Sequence, residues 1–382
     1  MYVCGMTVYD FCHIGHARVM IVFDMVVRWL RASGYEVLYV RNITDIDDKI
    51  INRALENGEP IAALTNRFID AMHADSDELG LMHPDQEPRA TDYIKQMQGM
   101  IGRLIENELA YQAEDGDVNF AVRLLPRYGQ LSGKTLDELN AGERVAVGGG
   151  KRDPLDFVLW KSAKPEEPAD TRWSSPWGEG RPGWHIECSA MSTEFLGSPF
   201  DIHTGGVDLK FPHHENELAQ CGGTQANFYL HNEHLSIDSE KMSKSLGNIK
   251  TIRNVKNPLA YRYLVLSGHY RSQMDFSMSD IDSASDRLSN IGKYIDQVML
   301  ARQGILEPKD STGAVDKFNK EFKEALEDDL NTPKALAAFT LLEGKVYTED
   351  AKEAIRLFDN VFGLQLVFDT PLHDTILVEI DK

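Results

Sequence analysis

The stretch that decides the fold is MYVCGMTVYDFCHIGHARVMIVFDMVVRWLRASGYEVLYVRN, residues 1–42. Its pattern predicts, in order, a strand over residues 2–8, a turn over 13–16, a helix over 17–31 and a strand over 35–41. Strand, helix and strand in this order make a βαβ unit of a parallel sheet. Because ligands bind at the carboxyl ends of the strands in such sheets, we expect the turn to face a binding crevice.

The bulk composition is that of a globular protein with more than one domain. The chain has 382 residues, 42% of them hydrophobic and 26% charged. Its longest apolar run, residues 19–30, is interrupted by Asp24 and Arg28, so we expect no membrane span. Four cysteines without a paired framework favour a reducing cytoplasm. The net charge of −20 argues against nonspecific coating of nucleic acid, although it allows a local basic groove.

The order of apolar and amphipathic segments predicts an α/β fold. We expect a Rossmann-type parallel-sheet catalytic domain that is divided by a β-rich insertion and followed by an α-helical bundle. The predicted boundaries are residues 1–110 for the first catalytic half, 111–182 for the connective insertion, 183–254 for the second half with its lysine-rich loop, 255–365 for the bundle, and 366–382 for the start of a C-terminal region.

Two polar segments have the composition of phosphate-binding loops. His13 and His16 flank Gly15 at the predicted start of a helix, where backbone N–H groups and the helix dipole favour phosphate. Imidazoles there can donate hydrogen bonds to a phosphoryl centre under attack. Lys241 and Lys244 lie in KMSKS, residues 241–245, and could bind a triphosphate. Taken alone, the histidine pair fits a helix cap equally well, and a lone lysine pair usually belongs to a solvated surface loop.

Four residues of metal-ligating type are candidates for one site: Cys4, Cys188, His213 and Glu217. His213 and Glu217 are four apart on a helix predicted to begin near Pro212, so their side chains share one face. Zinc accepts thiolate, imidazole and carboxylate in a tetrahedron. His214 lies about 100° further round that helix and is not expected to share the ion. Spacing alone also fits a surface pair and two packed cysteines, so it leaves the metal site open.

Taken together, HIGH at 13–16 and KMSKS at 241–245 resemble the paired signatures of class I aminoacyl-tRNA synthetases. Four further segments are similar to the cysteinyl-tRNA synthetase family: YVCG (2–5), GWHIEC (183–188), FPHHENE (211–217) and EDDLNTP (327–333). The resemblance covers essentially the whole chain without a departure at a motif position. Family members usually also have residues before the first strand and a C-terminal anticodon-binding portion, which leaves the anticodon contacts of this chain open.

The resemblance implies a ligase that activates L-cysteine with ATP and transfers it to tRNA(Cys). One Zn²⁺ per chain, held by Cys4, Cys188, His213 and Glu217, would bind the substrate sulfur, and Mg²⁺ would accompany ATP. Zinc favours a thiolate over a hydroxyl, so serine would be rejected by ~10⁴ to 10⁵ without editing. The implied contacts are Gly5, Thr44 and Trp184 for the amino acid, His203, Gly205, Gly206 and Asp208 for the adenosine and ribose, and His13, Gly15, His16, Lys241 and Lys244 for the triphosphate, with His13, His16, Lys241 and Lys244 as the catalytic residues.

Two alternatives remain at this point. A related ligase joins cysteine to an amino-sugar inositol by the same adenylation chemistry, but the EDDLNTP segment favours the synthetase. A non-catalytic relative that kept the fold as a scaffold would have no need of both His16 and Lys244. We expect a monomeric, cytoplasmic enzyme that binds no membrane.

Overall fold

The fold is given by a computed structural model that describes residues 1–136, 138, 150–237, 240–241 (backbone only), 249–309 and 313–366. The strands are β1 (Tyr2–Val3), β2 (Val40–Arg41), β3 (Ala110–Gln112), β4 (Val118–Phe120), β5 (Phe157–Ser162), β6 (Gly180–Pro182), β7 (Phe200–Gly206), β8 (Ala226–Asn232), β9 (Leu235–Ile237), β10 (Glu240–Lys241) and β11 (Met274–Phe276).

The α-helices are α1 (Ile14–Ala32), α2 (Asp48–Asn57), α3 (Ile61–Glu78), α4 (Ile94–Glu106), α5 (Trp184–Leu196), α6 (Glu215–Gln220), α7 (Pro258–Ser267), α8 (Met278–Arg302), α9 (Ala314–Glu327), α10 (Thr332–Ala338) and α11 (Glu349–Phe362). Across the described ranges, no helix combines the length and the apolar character needed to cross a membrane.

A parallel sheet in the order β2-β1-β7-β8 confirms the predicted α/β fold. β1 pairs in parallel with β2 on one side and with β7 on the other, and β8 forms the far edge beside β7. α1 lies between β1 and β2 in the sequence, as the βαβ prediction requires. The carboxyl ends of all four strands therefore meet at one edge of this sheet.

Both strands of the opening unit are shorter than predicted. The ladder of β1 ends at Val3, and pairing resumes only as an isolated bridge between Thr7 and Thr44. The cause is Gly5, whose N–H donates to the Asn42 side-chain oxygen at 2.9 Å instead of to a backbone carbonyl. In the second strand, Tyr35 is 65% exposed; the amino terminus of Met1 donates to the Leu38 carbonyl at 2.9 Å, and the ladder with β1 begins at Val40.

The predicted β-rich insertion is a four-stranded antiparallel sheet in the order β3-β4-β5-β6. Its interior is apolar, since Val118, Phe120, Leu159 and Trp160 are fully buried. β6 leads directly into α5 through Gly183. A Cβ atom at Gly183 would lie 2.2 Å from the Val158 carbonyl oxygen, so only glycine fits this close approach.

The described residues form two compact units. The first comprises Met1–Phe11, Leu38–His73 and His83–Asn232, and contains both sheets above. The second comprises Cys12–Val37, Ala74–Met82 and the described part of Glu233–Lys382; it contains α1, a small sheet in the order β10-β9-β11, and α7 to α11. Its helices confirm the predicted bundle, with a core of buried rings from Phe318, Phe322, Phe339, Phe358 and Phe362.

A buried ion pair joins separate segments of the second unit. Arg262 in α7 bonds to Asp24 in α1, and their side chains are 0% and 1% exposed. Arg262 also donates to the Phe362 carbonyl. The same Asp24 accepts from Arg28 Nε at 2.8 Å and from the Met82 amide at 2.8 Å. Both charges are thus compensated within the core.

We expect Arg262→Met to lower the free energy of unfolding by about 3 kcal/mol, because Asp24 stays buried with only part of its charge compensated. Denaturant-induced unfolding would measure the loss. Arg271→Met is the matched control, since Arg271 pairs with Asp329 at an exposed position, and should change stability by less than about 1 kcal/mol. Equal stability of the two variants would contradict the expectation.

Candidate metal centre and histidine turn

The structure brings the four predicted metal ligands together in the first unit. Cys4 follows β1, Cys188 lies in α5, His213 precedes α6 and Glu217 lies within it. One ligand atom from each of the four lies within 4.8 Å of the others, and all four residues are buried. A turn of irregular helix over Lys210–His214 leads into α6, with Phe211 outside helical backbone angles.

The distances fit a tetrahedral zinc site. Two thiolates at ~2.3 Å from one ion in a tetrahedron lie about 3.8 Å apart, and a nitrogen and an oxygen at ~2.1 Å lie about 3.4 Å apart. The Sγ atoms of Cys4 and Cys188 are 3.8 Å apart. His213 Nε2 lies 3.1 Å from Glu217 Oε1, and that oxygen lies 3.8 Å from Cys4 Sγ. Donor types and spacings therefore suit one Zn²⁺.

The electrostatics favour ionisation of two of the three acidic ligands and oppose it in the third, because burial and the hydrogen bond to Cys188 raise the pKa of Cys4. A hydrogen bond from Cys4 lowers the pKa of Cys188 to about 6 in spite of burial, with help from His213. Burial opposes the carboxylate form of Glu217, but His203 and His213 lower its pKa further than burial raises it. Because metals bind the thiolate and the carboxylate, these shifts prepare Cys188 and Glu217 for coordination near neutral pH.

A second set of potential ligands shares two members with the first. Cys4 and Glu217 also lie within 4.8 Å of His203 and His214, again with all four residues buried. His214 Nε2 is 3.3 Å from Cys4 Sγ. Since Cys4 and Glu217 belong to both sets, one ion at a time can use them. His213 and His214 fall in different sets, which agrees with the expectation that they do not share an ion.

The three residues expected to contact the amino acid adjoin this cluster. The Trp184 ring is 40% exposed and stacks on His213, with centroids 4.1 Å apart. Thr44 Oγ1 donates to Glu187 at 2.9 Å, next to Cys188 in the chain. Gly5 follows Cys4, and a Cβ atom there would lie 1.6 Å from the Asn42 carbonyl oxygen. Only glycine therefore allows this approach.

The residues expected to contact adenosine and ribose lie at the end of β7 and just beyond it. Asp208 is exposed in a short 3₁₀ turn that follows Gly206. A Cβ atom at Gly205 would lie 2.8 Å from Leu209 Cδ1 and 3.1 Å from the His214 ring. His203 is 0% exposed, and its Nε2 lies 2.8 Å from Glu217 Oε2.

In the second unit, the histidine turn begins α1. His13 is the N-cap residue, and its Nδ1 accepts from the His16 amide at 3.1 Å. The two rings stack with centroids 3.5 Å apart, and both side chains are half-buried, as is Gly15. The turn therefore presents two adjacent imidazoles at the amino end of a 19-residue helix, where the dipole favours anions.

The segment after the lysine-rich motif is anchored on the histidine turn. The Ile14 amide donates to the Lys250 carbonyl at 2.9 Å, the Ile252 amide donates to the Cys12 carbonyl at 3.0 Å, and His13 forms a bridge with Thr251. On the other side of the motif, the backbone of Lys241 pairs with Ser236. Lys244 lies outside the described residues.

Comparison with known proteins agrees with the fold and with these motifs. The family profile described as tRNA synthetases class I (C) catalytic domain matches residues 1–286, and the DALR domain profile matches residues 321–366. The structure of Mycobacterium tuberculosis methionyl-tRNA synthetase in complex with methionyl-adenylate shares the fold, with a TM-score of 0.67 at 16% identity over 96% of this chain and 87% of that one. Fold and motifs together define a class I tRNA synthetase.

Curated relatives show to which family within the class I tRNA synthetases this chain belongs. A cysteine–tRNA ligase of Polynucleobacter necessarius is 67% identical over 368 residues, which cover 92% of this chain and 76% of the relative. One from Ralstonia nicotianae is 59% identical over 353 residues, which cover 91% and 75%. The chain belongs to the cysteine–tRNA ligase family.

Proposed function

We infer that this chain is an ATP-dependent ligase that activates L-cysteine and transfers it to the 3′ end of tRNA(Cys), with one Zn²⁺ that selects the amino acid. The observation that carries the proposal is the buried cluster of Cys4, Cys188, His213 and Glu217, whose ligand atoms fit a tetrahedron. The half-exposed Trp184 beside it supports an amino-acid pocket at the same place.

On the amino-acid side, the chain's own residues hold and shape the centre. Cys4, Cys188, His213 and Glu217 would ligate Zn²⁺, which would supply a centre that binds the cysteine sulfur and disfavours the serine hydroxyl. Gly5 and Thr44 would form walls of the pocket, and Trp184 would cover it. Serine, which leaves the metal position unmatched, would be excluded at binding.

On the phosphate side, we propose that His13 and His16 stabilise the triphosphate while the cysteine carboxylate attacks the α-phosphorus. Lys241 and Lys244 would neutralise the departing pyrophosphate, and Mg²⁺ would accompany ATP. Gly15, His203, Gly205, Gly206 and Asp208 remain proposed contacts of the nucleotide. The rate would come from positioning and charge stabilisation, since the reaction needs no covalent bond to the protein.

The match of residues 321–366 to the DALR domain supports a tRNA acceptor over an amino-sugar acceptor. We also propose a cytoplasmic location, because a centre that uses two reduced thiols, Cys4 and Cys188, requires a compartment that does not oxidise them. A monomeric state stays a prediction, which light scattering on the full chain would test.

The decisive experiment is ATP–pyrophosphate exchange with the zinc-loaded protein. We expect exchange with L-cysteine, no more than a trace with L-serine, and loss of exchange after chelation that added Zn²⁺ reverses. Transfer of radiolabelled cysteine to tRNA(Cys), but not to an amino-sugar inositol, would separate the two acceptors. Absence of cysteine-dependent exchange in metal-replete protein would contradict the proposal.

A further inference from the structure

The two carboxylate oxygens of Glu217 have different neighbours. Oε1 lies 3.1 Å from His213 Nε2 and 3.8 Å from Cys4 Sγ, inside the ligand cluster. Oε2 lies 2.8 Å from His203 Nε2 and 2.9 Å from Gln225 Nε2. Glu217, His203 and Gln225 are all 0% exposed, so water does not compete for either oxygen.

We propose that His203 and Gln225 are positioning residues. They hold Oε2 of Glu217 in hydrogen bonds, so that Glu217 binds the metal through Oε1 alone. The proposal rests on the proposed function, because it concerns the same zinc centre. It gives His203 a role beside the metal, and it gives a role to Gln225, which no sequence motif singled out.

The donors can be identified from chemistry. An ionised carboxylate only accepts hydrogen bonds, so His203 must carry its hydrogen on Nε2. The amide of Gln225 is oriented in turn by Tyr229, whose hydroxyl donates to Oε1 of Gln225 at 3.0 Å.

Two consequences follow for the reaction. With Oε2 held in hydrogen bonds, Glu217 would contribute one oxygen, so the ion would have four protein ligands and the substrate sulfur would bind as a fifth, an expansion that zinc allows. The two donors also withdraw electron density from the carboxylate. Three negative ligands, Cys4, Cys188 and Glu217, would already donate charge to the ion. A carboxylate that donates less charge would leave the ion better able to bind a further thiolate from the substrate.

The test compares Gln225→Leu and His203→Leu with Gln220→Leu, a matched control. Gln220 is buried in the same helix as Glu217, but its side chain bonds to Ser189. Metal affinity is measured by competition with a chromophoric chelator. We expect both test variants to lose about 10- to 100-fold in affinity, as is usual when partners of a ligand are removed, and Gln220→Leu to stay within about 3-fold of the parent protein.

The Co²⁺-loaded proteins give a readout that a general loss of stability would not produce. We expect the ligand-field bands of Gln225→Leu and His203→Leu to change as Glu217 becomes free to bind through both oxygens, while the thiolate charge-transfer bands of Cys4 and Cys188 persist. In Gln225→Leu, whose changed residue is not among the proposed nucleotide contacts, the KM for cysteine should rise with little change in the KM for ATP. His203→Gln, which restores a donor, should recover part of the affinity.

Unchanged affinity and spectra in both test variants would overturn the inference. So would complete loss of the ion in His203→Leu alone, since that result would make His203 a ligand, as in the second set with His214. If His203→Leu fails to fold, Gln225→Leu and His203→Gln still decide the matter. Failure of the parent chain to bind Zn²⁺ or Co²⁺ would instead overturn the proposed metal centre itself.

Discussion

Cys188→Ala should lose its bound metal and most of its ability to activate cysteine. The variant removes a thiol whose pKa is lowered to about 6 by the hydrogen bond from Cys4. Losing a Lewis-acid contact worth several kcal/mol corresponds to a fall of about 10³-fold in kcat/KM for L-cysteine. Elemental analysis and ATP–pyrophosphate exchange measure the two effects separately.

The Cys188→Ala variant should also discriminate less well between cysteine and serine. Without the metal, the pocket can separate cysteine from serine only by size and polarity, which supports ratios of about 10² or less, against the ~10⁴ to 10⁵ available when a binding partner is left unmatched. Cys221→Ala is the control, because Cys221 follows α6 and belongs to neither ligand set in the described residues. Parent-like metal content in Cys188→Ala would reject the proposed ligand set.

The proximity of the four ligands was predictable because several independent patterns converge on them. The spacing of His213 and Glu217 places them on one helical face, and the resemblance added Cys4 and Cys188 from distant parts of the chain. The parallel sheet was predictable from apolar runs that end in polar residues. The early end of its first strand was not, because it depends on one side-chain hydrogen bond between Gly5 and Asn42.

The contacts of His203 and Gln225 with Glu217 could not be predicted from helix spacing or from apolar runs. His203 lies in β7, and Gln225 directly precedes β8, its parallel neighbour. Their convergence on one oxygen depends on the pairing of these strands and on the entry of the chain into α6. Neither helical nor strand periodicity encodes such a meeting. The histidine in the predicted strand of residues 200–203 was the available signal, and the resemblance gave it a contact with the nucleotide but no contact with Glu217.

The second large effect concerns the histidine turn. His16→Ala should lower the rate of ATP–pyrophosphate exchange by about 10²- to 10³-fold, because it removes a hydrogen-bond donor from the charge that develops on the phosphoryl group. The metal content should be unchanged, since the turn contributes no atom to either ligand set. Stopped-flow measurement of adenylate formation would place the loss in the chemical step rather than in ATP binding.

His13→Asn separates catalysis from helix capping. His13 caps α1 by accepting from the His16 amide, and asparagine is itself among the best N-cap residues. The variant should therefore keep the parent stability to within about 1 kcal/mol and still lose exchange activity by about 10²-fold. His83→Asn, at an exposed histidine in the first unit, serves as the control for the substitution itself. If His13→Asn retained full activity, the turn would be a helix cap and the phosphate role would pass to other residues.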